Sequence, residues 1–238
     1  MLQVALNGTR SRSEHPGVPL TSEQVARDVV ACLAAGATEF HVHPRDAAAR
    51  ETLEPATVDA LVERVRAMRP DVLLGVTTGA WIEPDPARRV AAVSRWRNPR
   101  YTSVNVSEPD WIDVARSALA AGIGVEAGVW SVDDALALAS SGLGEQLTRV
   151  LVEPPGLAPA EALTVVADIH AALDRAGVAA PRLQHGDDAS AWVLLDDAAR
   201  RGLDTRIGLE DTLLLPDGSP APDNATLVRA AVARGAAN

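Results

Sequence analysis

The sequence predicts a single-domain α/β protein, a closed (β/α)8 barrel that spans residues 1–238. Its length of 238 residues suits one such barrel. Short apolar runs of strand length alternate with stretches of helical period along the whole chain, which is typical of a parallel sheet. About eight strand–helix units of roughly 30 residues each favour a closed barrel over an open sheet.

Eight apolar segments are predicted to be strands, in chain order Leu2–Leu6, Glu39–His43, Val72–Val76, Tyr101–Asn105, Gly124–Ala127, Arg149–Val152, Arg182–His185 and Thr205–Leu209. A helix is predicted after each strand. The first helix opens with a capping box, in which Thr21 is followed three residues later by Gln24. Capping or proline signals predict further helix starts near Pro55, Asp85, Asp110, Ser131, Pro159 and Asp223. An open doubly wound sheet is the alternative, but it normally has a glycine-rich phosphate loop after the first strand, and residues 7–10 do not form one.

The composition excludes several classes of function. A net charge of −10 argues against nucleic acid or a membrane surface as a partner, because both are polyanionic, so a small molecule is expected. All 22 basic residues are arginine, which excludes Schiff-base, pyridoxal-phosphate and P-loop chemistry that needs a lysine. Cys32 stands alone, so there is no disulfide framework or thiolate metal site. No signal peptide or membrane-spanning stretch is found, and a cytoplasmic protein is expected.

Polar residues lie at the predicted carboxyl ends of nearly all strands, where barrel enzymes have their active sites. Because side chains alternate along a strand, His41 and His43 are expected to face the barrel axis while Phe40 and Val42 face the helices. Glu153 and His185 also follow strands, but the sequence does not decide their roles, and they are taken as rim residues.

The last predicted strand has the same alternation. It turns Arg206, Gly208 and Glu210 towards the axis, and Gly208 would leave room there for a ligand. Strands two and eight contribute to the same interior layers, so His41, His43 and Glu210 can meet. Two histidine nitrogens and one carboxylate are a typical catalytic zinc set with one position open, whereas magnesium prefers more oxygen ligands. The alternatives are hydrogen-bonded core histidines and an internal Arg206–Glu210 ion pair.

Several motifs are spread over nearly the whole chain: Leu6-Asn7-Gly8, the segments 15–21, 41–46, 76–80, 103–105 and 124–126, and Arg-Ile-Gly-Leu-Glu-Asp at 206–211. Together they resemble the motifs of the β-keto acid cleavage enzymes. The His-x-His and Gly-Leu-Glu-Asp motifs are the most specific. The resemblance implies a (β/α)8 barrel with zinc on the two histidines and the glutamate, assembled as a homo-oligomer, a tetramer or dimer. It also implies that a β-keto acid and acetyl-CoA give acetoacetate and a new CoA thioester.

The resemblance also implies roles for individual residues. Asp211 paired with Arg206 resembles the catalytic dyad that manages the proton and the developing charge. Glu126 is a third catalytic candidate, which either orients a proton donor or pairs with an arginine. The substrate carboxylate and keto group are expected to contact Thr77, Thr78, Ser103 and Asn105.

Arg10 stands where family members that act on amino-bearing keto acids carry an acidic residue. A cationic amino substrate is therefore not expected. We expect Arg10 to contact an anionic or polar substrate tail, such as that of a dicarboxylic β-keto acid.

Cleavage of a bond beside a ketone builds negative charge on the carbonyl oxygen, which a Lewis-acid metal stabilises. Without a lysine, a metal is the remaining common electrophile. Two alternatives stay open: a metal-dependent aldolase, lyase or hydrolase that acts on a keto acid without CoA, and a non-catalytic ligand-binding barrel.

Overall fold

A computed structural model describes residues 1–236 of the chain. The predicted closed barrel is confirmed: eight parallel strands follow one another around the ring, and the last pairs with the first. The strands are β1 Leu2–Ala5, β2 Glu39–Val42, β3 Leu73–Thr77, β4 Tyr101–Asn105, β5 Gly124–Val129, β6 Arg149–Val152, β7 Arg182–Gln184 and β8 Asp204–Ile207. The predicted domain extends to residue 238, and positions 237 and 238 lie outside the described residues.

The helices are α1 Ser22–Ala35, α2 Pro55–Met68, α3 Pro86–Val93, α4 Trp111–Ala120, α5 Val132–Ser140, α6 Pro159–Arg175, α7 Ala191–Arg201 and α8 Asn224–Ala233. They begin close to the predicted signals, and α1, α3, α5 and α8 each have a capping side chain that accepts a bond from a free backbone N–H group, whereas α2, α4 and α6 have none. Thr21 and Gln24 form both bonds of the capping box, and Asp85 accepts bonds from the first turn of α3. The longest helix has 17 residues, and none within the described part of the chain is both long and apolar enough to span a bilayer.

The strands bury their outward faces against the helices. Phe40 and Val42 belong to the hydrophobic core between barrel and helices, so His41 and His43 face the barrel interior as the alternation predicts. The end of β8 differs from the prediction. The chain turns after Ile207, and Asp211 N donates to Gly208 O at 2.9 Å. Glu210 therefore lies in a turn and not on the strand.

A polar layer fills the amino-terminal part of the barrel interior. Tyr101 reaches across it and donates to the backbone oxygen of Phe40 at 2.7 Å. Gly75 makes this possible, because a Cβ there would lie 2.0 Å from the Tyr101 ring. Arg149 bonds to Glu39 and to Glu126 in the same layer. This layer closes the floor of the barrel, and the cavity described next lies at the carboxyl ends of the strands.

Candidate functional site

The structure brings His41, His43 and Glu210 together as a candidate metal-binding triad. One ligand atom from each lies within 4.8 Å of the others. Glu210 Oε1 is 3.6 Å from His43 Nε2 and 3.9 Å from His41 Nε2. Ligand atoms around a tetrahedral zinc ion are about 3.3 Å apart, as bond lengths of about 2 Å require. The measured distances of 3.6 and 3.9 Å are slightly longer than that spacing.

The chemistry of the three side chains also fits a cation. Glu210 Oε2 is buried and has no hydrogen-bond partner among residues 1–236. Burial lowers the pKa of His41 to about 3, so its imidazole is neutral, which is the form that binds a metal. Burial would raise the pKa of Glu210, but the charges of Arg206 and then His43 outweigh it and hold that pKa well below its usual value. Two imidazole nitrogens beside an ionised carboxylate are a ligand set that suits a divalent ion.

Two residues that the sequence analysis did not single out hold His43 in place. Glu51 Oε1 lies 2.6 Å from His43 Nδ1, which leaves Nε2 to face Glu210. Trp81 stacks on the His43 ring, with 6.0 Å between the ring centroids and 29° between the planes. Its Nε1 also donates to both oxygens of Glu51 at 3.3 Å. A carboxylate on the far nitrogen fixes the orientation of a metal-binding histidine and makes it a better ligand.

The loop after β1 supports the same site from the other side. Asn7 Oδ1 accepts from His43 N at 2.9 Å and Asn7 Nδ2 donates to His43 O at 3.0 Å. Gly8 has φ of +52° and lies against Glu210, since a Cβ there would be 2.4 Å from Glu210 Cγ. Arg45 donates to the backbone oxygens of Gly8 and Arg10. The backbone of this loop is thus pinned over the triad.

Asp211 and Arg206 form a buried ion pair beside the triad. Arg206 Nη2 donates to Asp211 Oδ1 at 2.7 Å and to Glu210 Oε1 at 2.9 Å, and Arg206 Nε donates to Asp211 Oδ1 at 3.1 Å. The arginine therefore links the candidate ligand to the candidate base. Burial raises the pKa of Asp211, although Arg206 and His185 oppose this effect.

These groups open into one cavity of about 320 Å³ at the carboxyl ends of the strands. Its lining includes the triad, the ion pair, and Thr77, Ser103, Asn105, Trp81, Trp130, Leu151, Glu153, His185 and Asp187. Three of the five residues predicted to contact substrate, Thr77, Ser103 and Asn105, therefore reach it. Thr78 does not, because its hydroxyl donates to Ser103 O at 2.7 Å and so supports the neighbouring strand.

Two predicted site residues lie elsewhere. Glu126 is fully buried in the floor layer, where its Oε1 is 2.9 Å from Arg149 Nε and 3.0 Å from Gln3 Nε2. Arg10 is not part of the cavity lining, since its guanidinium lies 2.6 Å from Asp188 and 3.6 Å from Glu14. Neither side chain joins the group formed by the triad and the ion pair.

The comparison with known families decides where this barrel belongs. A model of the β-keto acid cleavage enzyme family matches residues 1–237. The chain belongs to this family. The family predicted from the motifs is thereby confirmed. The 3-keto-5-aminohexanoate cleavage enzyme of Fusobacterium nucleatum subsp. nucleatum is 31% identical over 80 residues, which are 33% of this chain and 29% of that enzyme.

Solved structures similar to this cleavage-enzyme family member confirm the barrel fold. ObcA in its binary complex with oxaloacetate has a TM-score of 0.71 at 17% identity, over 90% of this chain and 62% of ObcA. A type I 3-dehydroquinate dehydratase of Clostridium difficile has a TM-score of 0.66 at 9% identity, over 98% of this chain and 90% of that enzyme. The chain thus spans less than two thirds of the length of ObcA. At such identities the likeness shows the fold alone.

Proposed function

We propose that this chain is a zinc-dependent β-keto acid cleavage enzyme. It would exchange acyl groups between a β-keto acid and acetyl-CoA, giving acetoacetate and a new acyl-CoA. One observation carries the proposal: the candidate triad, His41, His43 and Glu210, opens into the same cavity as the Asp211–Arg206 ion pair. Membership of the family supports the reaction class. The use of acetyl-CoA and a homo-oligomeric assembly are proposed with it, on family likeness.

The triad would hold the zinc ion through His41 Nε2, His43 Nε2 and Glu210. A zinc ion bound there supplies a Lewis acid that stabilises negative charge on the keto oxygen by several kcal/mol. Glu51 keeps the Nε2 atom of His43 directed at that position.

Asp211 would take a proton from the carbon between the keto group and the carboxylate. Its raised pKa makes it a stronger base than an exposed aspartate. Arg206 holds the carboxylate by two donors and also bonds Glu210, so it orients the base relative to the triad. The proposed base would therefore lie next to the keto oxygen on which negative charge develops.

Thr77, Ser103 and Asn105 supply neutral polar groups to the cavity wall. Asn105 Nδ2 donates to Glu108 at 2.9 Å, which fixes the amide. We propose that these three residues receive the carboxylate of the keto acid, as the family likeness suggests.

Isotope labelling tests the proposal. In the exchange, the bond between C2 and C3 of the keto acid breaks, the acyl group that contains C3 moves to the CoA sulfur, and the acetyl group moves from that sulfur to C2. Acetoacetate formed from doubly ¹³C-labelled acetyl-CoA should therefore carry both labels at C3 and C4, and only when enzyme and zinc are present. Unlabelled cleavage products that form equally well without acetyl-CoA would instead favour a lyase or hydrolase.

Metal analysis tests the triad separately from turnover. We expect about one zinc ion per chain, and its loss in the His41→Ala and Glu210→Ala variants. His170→Asn is the matched control, because His170 bonds Gln184 outside the cavity. Unchanged zinc content in both triad variants would contradict the proposed site.

A further inference from the structure

One section of the cavity wall has no part in the proposed mechanism. It consists of Trp130, Glu153 and His185, which follow β5, β6 and β7, and we call it the Glu153 wall. Trp130 Nε1 donates to Glu153 Oε1 at 3.2 Å. His185 Nε2 pairs with Glu153 Oε2 at 2.7 Å, and His185 Nδ1 lies 3.8 Å from Asp211 Oδ1.

His185 is the most telling member of this wall. The residue is only 4% exposed, and while its Nε2 pairs with Glu153, its Nδ1 has no hydrogen-bond partner among the described residues. A buried polar atom without a partner costs about 1–3 kcal/mol. A buried, unpartnered ring nitrogen at the edge of a cavity therefore indicates that a group bound in the cavity bonds to it.

The neighbouring strand is shaped to admit Glu153. A Cβ at Gly128 would lie 2.6 Å from Glu153 Oε1 and 2.5 Å from Asn105 Oδ1. Both side chains therefore occupy space that any other residue at position 128 would take. Glu153 is thus held beside Asn105 in the cavity wall.

The charges around the cavity disfavour a second carboxylate on the substrate. Arg206 is the one guanidinium in the lining that the structure describes, and it is already bonded to Asp211 and Glu210. Glu153 and Asp187 add two more carboxylates. Even with a divalent ion on the triad, the lining would keep a net negative charge.

Glu153 itself stays ionised in this setting. Burial would raise its pKa, but His185, Arg206 and Trp130 outweigh burial and lower it. Its side chain is 14% exposed and faces the cavity. A carboxylate at this place attracts a hydrogen-bond donor.

We infer that Glu153 and His185 form a subsite for the tail of the β-keto acid, and that this tail ends in a hydrogen-bond donor, an ammonium or a hydroxyl group. The inference rests on the proposed function and names its substrate class. It replaces the anionic tail that Arg10 would have favoured, because Arg10 is paired with Asp188 away from the cavity lining.

Calorimetric titration of the zinc-loaded protein without acetyl-CoA tests this subsite. The probes are four six-carbon acids with the same keto acid head: 5-amino-3-oxohexanoate, 5-hydroxy-3-oxohexanoate, 3-oxohexanoate and 3-oxoadipate. We expect the two donor-bearing acids to bind roughly 10-fold to 100-fold more tightly than 3-oxohexanoate, the range for a hydrogen bond to a charged group, and 3-oxoadipate to bind most weakly.

Two variants assign the effect to the wall. Glu153→Gln and, independently, His185→Asn should lower the affinity for the donor-bearing acids about tenfold and leave that for 3-oxohexanoate within about twofold. Glu145→Gln is the matched control, since Glu145 is exposed on the 3-10 helix Gly144–Gln146. The subsite would be overturned if 3-oxoadipate bound more tightly than 5-amino-3-oxohexanoate, or if no probe bound. It would also be overturned if both variants kept the wild-type ratio of the affinities for the donor-bearing acids and for 3-oxohexanoate. Selective binding without labelled acetoacetate would leave the subsite standing and refute the proposed function.

Discussion

Glu51 should set how tightly the triad binds zinc, because it holds His43 at the nitrogen opposite the proposed ligand atom. The contact is short, at 2.6 Å, and the Glu51 side chain is only 15% exposed. Loss of such a carboxylate partner costs a metal site about 10-fold to 100-fold in affinity. This corresponds to about 1.4 to 2.8 kcal/mol of binding free energy.

The two substitutions at this position should differ in size. Glu51→Gln keeps an oxygen that accepts from His43 Nδ1 but loses the charge, so we expect an increase in Kd near tenfold. Glu51→Ala leaves the ring nitrogen buried without a partner, so we expect about 100-fold. Trp81→Phe keeps the stacked ring and removes the donor to Glu51, and its effect should be smaller than either.

Competition with a chromophoric chelator at fixed pH measures these zinc affinities without any turnover. Glu54→Gln is the control, because Glu54 is exposed three residues further along and its side chain does not cap α2. If Glu51→Ala stays folded and binds zinc within twofold of the wild type, the argument that Glu51 orients His43 is refuted.

Three further outcomes are expected. Gly8→Ala should lower zinc affinity at least tenfold in the chelator assay, because its Cβ would lie 2.4 Å from Glu210 Cγ, whereas Gly142→Ala, also at positive φ but with open space around it, should not. Glu126→Gln should keep most of the activity and change the pH dependence of stability. Burial raises the pKa of Glu126 from 4.5 to about 7, against the opposing charge of Arg149, so the folded protein binds the extra proton. Its stability should fall by up to about 3 kcal/mol as pH rises from about 4.5 to 7, and urea unfolding should show that fall in the wild type but not in the variant. Asp211→Asn should reduce kcat by about 100-fold to 10,000-fold with zinc content unchanged, and near-normal turnover would remove Asp211 from the mechanism.

Strand periodicity predicted the barrel and the inward direction of His41 and His43, because alternation is fixed by backbone geometry. It did not predict how far along the barrel axis each inward-facing side chain lies. Glu126 was a catalytic candidate, but it is the third of six residues in β5 and pairs with Arg149 in the floor layer. A side chain two residues nearer the amino end of a strand belongs to a lower layer, and composition alone does not show where a strand ends.

The alternation pattern also failed to predict the turn after β8, for a different reason. Gly208 was expected to leave room for a ligand, but a Cβ there would lie 1.9 Å from the backbone oxygen of Ala5. Because Gly208 has no side chain, the backbone after the last strand can lie directly against the first strand. The contact of Glu51 with His43 was also not predictable, because Glu51 comes from a loop whose only regular feature is a single bridge between Arg45 and Glu51. Loop contacts of this kind have no periodic signal.

The ring is completed by the pairing of β8 with β1, and the candidate ligands come from β2 and from the turn after β8. A nascent chain that has not yet emerged as far as Glu210 has two imidazoles and no carboxylate to complete the set. Binding of a metal ion by all three candidate ligands would therefore require the closed ring. An ion bound in this way would stabilise the closed barrel by about 2.7 kcal/mol at a free concentration of 100 times its Kd.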